Sequence, residues 1–187
     1  MKTAVIVPAF DVAPLVGGVI AELKAIWPDP EGVICVDDGS RDGSGEVARQ
    51  AGAYLVRHGR NRGKGAALRS GFEAARHRGF DTAVTVDGDA QHPPAEALRM
   101  HEAVRAEDAL VVGVRDLAKA GAPPANQLSN RFSNLVLSGF TGRALGDTQC
   151  GLRRYPVEQT LALGGREEGY GYEAEIVIRA CAAGWPV

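Results

Sequence analysis

Thr82-Ala83-Val84-Thr85-Val86-Asp87-Gly88-Asp89, followed at once by Ala90-Gln91-His92-Pro93-Pro94, is an apolar run that breaks into two carboxylates and then a proline-closed turn. A short run rich in β-branched residues and bounded by turn residues reads as a buried strand. Asp87 and Asp89 then sit at its C-terminal tip. Hard oxygen ligands at this spacing suit Mg²⁺ or Mn²⁺, and Mg²⁺ is usually held by one or two carboxylates while substrate phosphates and waters complete its shell. The stretch marks both a strand of the sheet and a candidate metal site facing a nucleotide-phosphate substrate. A polar turn closing a strand accounts for the same residues, so the neighbours decide.

Upstream, the same grammar repeats. Ala4-Val5-Ile6-Val7 is a continuous apolar run stopped at Pro8-Ala9-Phe10-Asp11, and Val33-Ile34-Cys35-Val36 ends in Asp37-Asp38-Gly39-Ser40-Arg41-Asp42. Between them, Leu15, Val19, Leu23 and Ile26 recur at helical spacing, with Pro14 near the start and Pro28 past the end, which predicts a helix over 13–27. Gly43-Ser44 opens a short helix to about Gln50, Ala53 to Val56 forms a third strand, and Gly63 to His77 a further helix carrying Ala67, Leu68, Phe72 and Ala75. Past Asp89 the pattern predicts a helix over 95–105 and a strand over 109–114. Such alternation specifies an α/β fold, a mostly parallel central sheet flanked by helices on both faces. Ligands bind such sheets at the carboxyl ends of the strands, towards which helix N-termini also point. Pro8–Asp11, Asp37–Asp42, Asp87–Gln91 and Arg115-Asp116 all fall there.

After Arg115 the alternation stops. Leu117 to Ala125 reads as a Gly/Pro/Ala loop; then Leu128, Phe132, Leu135, Val136 and Phe140 share one helical face beside Asn126, Ser129, Asn130 and Ser133. Such a helix docks on the sheet or lies on a membrane surface, with Arg131 and Arg143 as its positive charges. Asp147 to Tyr155 is a polar-to-mixed segment closed by Pro156, Glu173 to Ala183 a final helix, and Gly184-Trp185-Pro186-Val187 the beginning of a strand.

Bulk properties narrow the classes. The 187 residues suit one domain, and a net charge of -2 supplies no electrostatic footprint for nucleic acid. Cys35, Cys150 and Cys181 are too few and scattered for a disulfide frame or zinc site, which points to a reducing, cytoplasmic compartment. No stretch is apolar enough to cross a bilayer. Gly59-Arg60-Asn61-Arg62-Gly63-Lys64-Gly65 fails the Walker pattern in spacing and in lacking Ser or Thr after Lys64, yet it opens a helix with backbone N–H groups and a cation that suit a phosphate. The loops from Asp38 and Asp87 lack the closing Glu of a calcium loop, having Arg49 and Leu98 in that place. His92 is the one histidine near the candidate site.

Together, Val7-Pro8-Ala9-Phe10, Val36 to Ser44, Asn61 to Ala67 and Asp87-Gly88-Asp89-Ala90-Gln91-His92-Pro93 resemble the family 2 inverting glycosyltransferases of GT-A fold. Within that family the sequence is most similar to the dolichyl- or polyprenyl-phosphate sugar synthases, whose Asp-x-Asp-x-Gln-His-Pro signature it matches. The resemblance implies a single catalytic domain over 1–187, with a nucleotide-binding half of about 1–115 and an acceptor half of about 116–187. It implies that Pro8 and Phe10 border the base, Val36 and Asp38 contact base and ribose, and Asp87, Gly88, Asp89 and Gln91 hold the metal and donor diphosphate. The resemblance adds Asp37 and Lys64 to this donor set and implies that Asp89 and Gln91 are the direct Mg²⁺ or Mn²⁺ ligands, with Asp87 closer to the ribose and diphosphate.

On the acceptor side, the resemblance sets Arg115 and Arg131 against the transferring and acceptor phosphates, so Asp89, Arg115 and Arg131 carry the catalytic assignment. The implied partners are a GDP- or UDP-linked sugar, a polyprenyl phosphate and the cytoplasmic face of a membrane. Asp147 is the base if the acceptor is a hydroxyl. The family's usual Asn-Glu after its first aromatic residue is Asp11-Val12 here, which removes one carboxylate from the nucleotide site. Two readings from other classes stand beside this one: a phosphohydrolase with Asp87 as nucleophile, and an inactive sugar-nucleotide binding module.

Overall fold

A computed structural model describes residues 1–103, 108–115 and 123–187. Four parallel strands carry the first half: β1 (Thr3–Ala9), β2 (Val33–Asp37), β3 (Tyr54–Arg57) and β4 (Thr82–Thr85). Two more, β5 (Val111–Val112) and β6 (Arg153–Pro156), complete a six-stranded sheet in the order β3-β2-β1-β4-β6-β5. β6 runs antiparallel to both of its neighbours. The α/β expectation of a mostly parallel sheet therefore holds.

Side-chain alternation along the strands splits the core between the two faces of the sheet. Val5, Val7, Val33 and Cys35 pack with Val16, Ile20 and Leu23 of α1 (Ala13–Ile26), Ala48 of α2 (Ser44–Gln50) and Ala97 of α4 (Pro94–Ala103). Ala4, Ile6, Ile34 and Val36 pack on the other face with Leu68 and Phe72 of α3 (Lys64–His77), Val157 of α6 (Val157–Ala162) and Ile176 of α7 (Gly171–Ala182). Helices thus cover both faces, as the alternation predicted. The buried side of α1 is turned slightly from the predicted one, because Leu15 is exposed while Val16 and Ile20 are buried. Gly17 lets α2 approach, since a Cβ there would lie 2.8 Å from Val47 Cγ1.

Four expectations need correction. The polar-to-mixed segment closed by Pro156 contains β6, whose Arg153 and Arg154 are fully buried. The fifth strand is only Val111–Val112, and Gly184–Val187 forms no strand, although the Leu110 N–H donates to the Pro186 carbonyl at 3.0 Å. Helix α5 (Pro124–Thr141) starts earlier than expected and does not bury its apolar face: Leu128, Phe132, Leu135 and Phe140 are exposed, and Asn130 is its buried residue. Its polar side turns inward. Asn134 Nδ2 donates to the Gly146 carbonyl, Asn134 Oδ1 accepts from Thr148 N, and Ser138 Oγ accepts from Leu145 N. Arg105, Asp116 and 117–122 lie outside the described residues.

Candidate active site

The parallel register aligns Ala9 with Asp37 and sets the end of β4 beside β1, so the strand tips open into one cleft of about 470 Å³. Pro8, Phe10, Asp38, Lys64, Asp87, Gly88, Asp89, Gln91 and Arg115 line it. These are nine of the residues expected from the sequence. Both non-glycine residues with positive φ among those described, Asp11 (51°) and Ala90 (61°), stand in turns at this edge. Strained backbone of this kind, of order 1–3 kcal/mol each, persists where surrounding contacts over-determine it. At the Ala90 turn, Asp89 Oδ1 accepts from the Gln91 N–H at 3.0 Å.

Asp38 is a fixed hub. Its oxygens accept from Arg62 N at 2.9 Å and Gly63 N at 2.7 Å, and His58 Nδ1 lies 2.6 Å from Oδ1. The carboxylate assigns the Nδ1–H tautomer to His58, whose Nε2 meets Ser70 Oγ at 2.9 Å. The loop before α3 is thereby pinned to the tip of β2, which delivers Lys64 to the cleft.

Lys64 Nζ lies 2.7 Å from Asp87 Oδ1 and 3.1 Å from Glu173 Oε2. Burial alone would lower its pKa, but the Glu173 and Asp87 charges outweigh burial and hold the ammonium above the ordinary lysine value. Across the cleft, Asp147 grips Arg115 through Nε at 2.7 Å, Nη2 at 3.1 Å and the backbone N at 3.2 Å. For Asp147 burial alone would raise the carboxyl, yet the Arg115 hydrogen bonds and charge keep it below the usual carboxylate range. Arg115 is raised in turn, first by its hydrogen bonds to Asp147.

Other expected residues lie elsewhere. Val36 is fully buried in the core. Asp37 is fully buried too, accepting from Ser40 N at 2.9 Å with Oδ2 3.0 Å from Arg57 Nε, and it does not line the cleft. Asp147 touches the cleft only through Arg115, and Arg131 is exposed on α5, outside the lining. Conversely, Asn61, Gln149, Tyr170 and Glu173 line the cleft without having been singled out. Asn61 was visible within its motif and Tyr170 as an aromatic between glycines; nothing local marks Glu173.

The donor set fits a divalent cation held jointly with phosphate. Asp89 Oδ2 and the Gln91 side chain have no hydrogen-bond partner among the described residues, and both face the cleft. Among those residues no group of three or more His, Cys, Asp or Glu forms a protein-only cage. One or two protein oxygens plus phosphate oxygens is the usual Mg²⁺ arrangement.

A family model described as glycosyl transferase family 2 matches residues 4–160. The undecaprenyl-phosphate mannosyltransferase of Micrococcus luteus is 26% identical over 195 residues, an alignment covering 98% of this chain and 79% of that protein. The polyprenol monophosphomannose synthase of Mycolicibacterium smegmatis is 25% identical, with 100% and 74% covered. Among solved structures, the glucosyl-3-phosphoglycerate synthase of Mycobacterium tuberculosis, in complex with Mn²⁺, UDP and glucosyl-3-phosphoglycerate, superposes with a TM-score of 0.76 at 20% identity. That superposition covers 97% of this chain and 66% of the other.

Proposed function

The chain belongs to glycosyl transferase family 2, and we propose that it moves a hexose, mannose or glucose, from a GDP- or UDP-linked donor to a polyprenyl phosphate with Mg²⁺ or Mn²⁺ bound. The observation that carries this reading is the convergence of Asp87, Asp89, Gln91, Lys64 and Arg115 in one cleft at the carboxyl edge of the sheet. Relatives named for undecaprenyl-phosphate and polyprenol phosphate transfer support the acceptor class.

Each group has a task in this reading. Asp89 and Gln91 hold the cation, which as a Lewis acid offsets charge on the leaving nucleoside diphosphate. Lys64 and Asp87 set the charge beside that diphosphate. Arg115 is held flat by Asp147, and its Nη1 makes no hydrogen bond among the described residues, leaving a donor for the acceptor phosphate. The acceptor oxygen forms its bond to the anomeric carbon as the bond to the diphosphate oxygen breaks, inverting that carbon. A phosphate monoester is already anionic, so positioning matters more than a base. Asp147, the base required by a hydroxyl acceptor, is committed to Arg115, which favours the phosphate acceptor. In this division residues of about 1–115 serve chiefly the nucleotide and about 116–187 chiefly the acceptor, with Arg115 at the boundary between them.

The outward apolar face of α5 suits peripheral attachment to the cytoplasmic face of a membrane, with Arg131 beside it. Among the described residues no helix is long and apolar enough to cross one. The test incubates the chain with Mn²⁺, GDP- and UDP-sugars and a short polyprenyl phosphate. Nucleoside diphosphate release should require both metal and phosphate acceptor, and Asp89→Ala should abolish it. Folded protein that turns over no pair refutes the proposal.

A further inference from the structure

Lys64 is the first residue of α3. There the helix dipole disfavours a cation. Its side chain is nevertheless 14% exposed and ends between two carboxylates, Asp87 and Glu173. Other contacts enforce this placement. Glu173 sits in the first turn of α7, where a carboxylate is favoured, and its backbone carbonyl accepts from Arg153 Nη1 at 2.7 Å. Arg153 is itself fixed by the Cys150 and Thr148 carbonyls, each at 2.7 Å. Gly151 closes the remaining side: a Cβ there would collide with Asp87 Oδ2 and lie 3.0 Å from Lys64 Nζ.

Glu173 also has an unusual loose end. Its Oε1 is buried with no hydrogen-bond partner, and Arg153 Nε stands 3.8 Å from it. A buried carboxylate oxygen without a hydrogen bond is disfavoured, so it marks an acceptor that another state of the molecule can use. Lys64 is the ammonium within reach. A divalent cation on Asp89 and Gln91, beside Asp87, would repel Lys64 from Asp87, and the two oxygens of Glu173 would receive it.

We propose that Glu173 is a positioning residue for Lys64, and that the Lys64 ammonium occupies Asp87 until the divalent cation and donor diphosphate displace it onto Glu173 and the phosphate. This rests on the metal-dependent transfer reading above. It adds that Lys64 competes with the cation in the nucleotide-free protein and assists it once a diphosphate is present. A purely structural lysine would weaken both binding events together when lost; a competing one shifts them in opposite directions.

Calorimetry with Mn²⁺ alone, and then with UDP or GDP in the presence of Mn²⁺, separates the cases. Lys64→Met should bind Mn²⁺ alone about fivefold more tightly, the effect of removing a partly screened cation next to a carboxylate. It should bind the nucleoside diphosphate about tenfold more weakly, having lost one charge-assisted contact. Glu173→Gln should bind Mn²⁺ alone more weakly, because Lys64 then rests on Asp87 only. Should Glu173→Gln melt below the assay temperature, Lys64→Met at the cleft lip decides alone. Unchanged Mn²⁺ affinity in Lys64→Met, or a parallel loss of both affinities, overturns the proposal while leaving the transferase reading intact. Wild-type protein that binds no Mn²⁺ even with nucleotide overturns both.

Discussion

Replacing Asp147 by Asn tests how Arg115 is held at the cleft. The carboxylate is 1% exposed and accepts from Arg115 N, Nε and Nη2 and from Gln149 N. Asn keeps the shape but turns one acceptor into a donor facing a donor. Breaking a buried pair from one side costs about 3–5 kcal/mol. The Arg115 side chain is 30% exposed and regains water, so about 2 kcal/mol is the expected loss. With a urea slope of roughly 1–3 kcal/mol/M, the midpoint should fall by about 1 M at pH 7. The sign with pH follows from the depressed Asp147 pKa. The unfolded carboxyl titrates near its ordinary value of about 3.9 and the folded one lower, so the stabilisation is complete above the unfolded value. It is lost as pH falls through the folded one. The gap between wild type and Asp147→Asn should therefore narrow below about pH 4. Equal midpoints at pH 7, or a gap that persists once the carboxyl is protonated, would refute the account. In turnover assays the variant should lose acceptor kcat/KM while its nucleotide Kd stays unchanged.

Gly151→Ala places a methyl group against Asp87 Oδ2 and Lys64; Mn²⁺-dependent donor binding should weaken about tenfold by calorimetry, as expected for losing one charged contact. The double variant Phe132→Ser/Phe140→Ser removes side chains 67% and 79% exposed. It should leave the urea midpoint unchanged and lose co-sedimentation with anionic liposomes, each Phe contributing about 1.5–3 kcal/mol when buried in lipid; retained co-sedimentation would remove α5 from the membrane contact. His58→Ala takes a 2.6 Å partner from Asp38 and a contact from Ser70. A stability loss of about 1–3 kcal/mol in urea should accompany weaker donor binding, because Asp38, which holds the loop before Lys64, loses one of its three partners.

The parallel half of the sheet was legible because β1, β2 and β4 bury both faces, and β1 and β2 read as the unbroken apolar runs Ala4–Val7 and Val33–Val36. β6 was hidden by its composition. Arg153-Arg154 reads as a solvated pair, yet Arg153 is buried because carbonyls of Thr148, Cys150 and Glu173 accept from its guanidinium nitrogens. Those partners come from a neighbouring turn and a distant helix, which a propensity window does not contain. α5 misled in the opposite way. Periodicity identified its apolar face correctly, but the inward contacts are made by Asn134 and Ser138, so amphipathicity gave the helix and not its orientation.

The site divides along the same line. Asp38, Asp87 and Asp89 were found because each interrupts an apolar run at a strand tip, a local event. Asp37 was grouped with them, but as the last residue of β2 it keeps the strand's alternation with Val33 and Cys35 and points beneath α2, where a Cβ on Gly45 would collide with it. Asp38 begins the turn and is free to face the cleft. Glu173 needed the tertiary structure, because its meeting with Lys64 spans most of the chain and depends on β6. By pairing antiparallel with β4 in the register Thr85 to Arg153, that strand places its entry at the end of β4, where Gly151 carbonyl accepts from Thr85 Oγ1 at 2.7 Å. The 147–151 turn is thereby packed against Asp87, with Asp147 gripping Arg115 on one side and Arg153 anchoring Glu173 on the other. One strand that reads as a polar loop thus joins the carboxylates of the first half to the cations and counter-charges of the second.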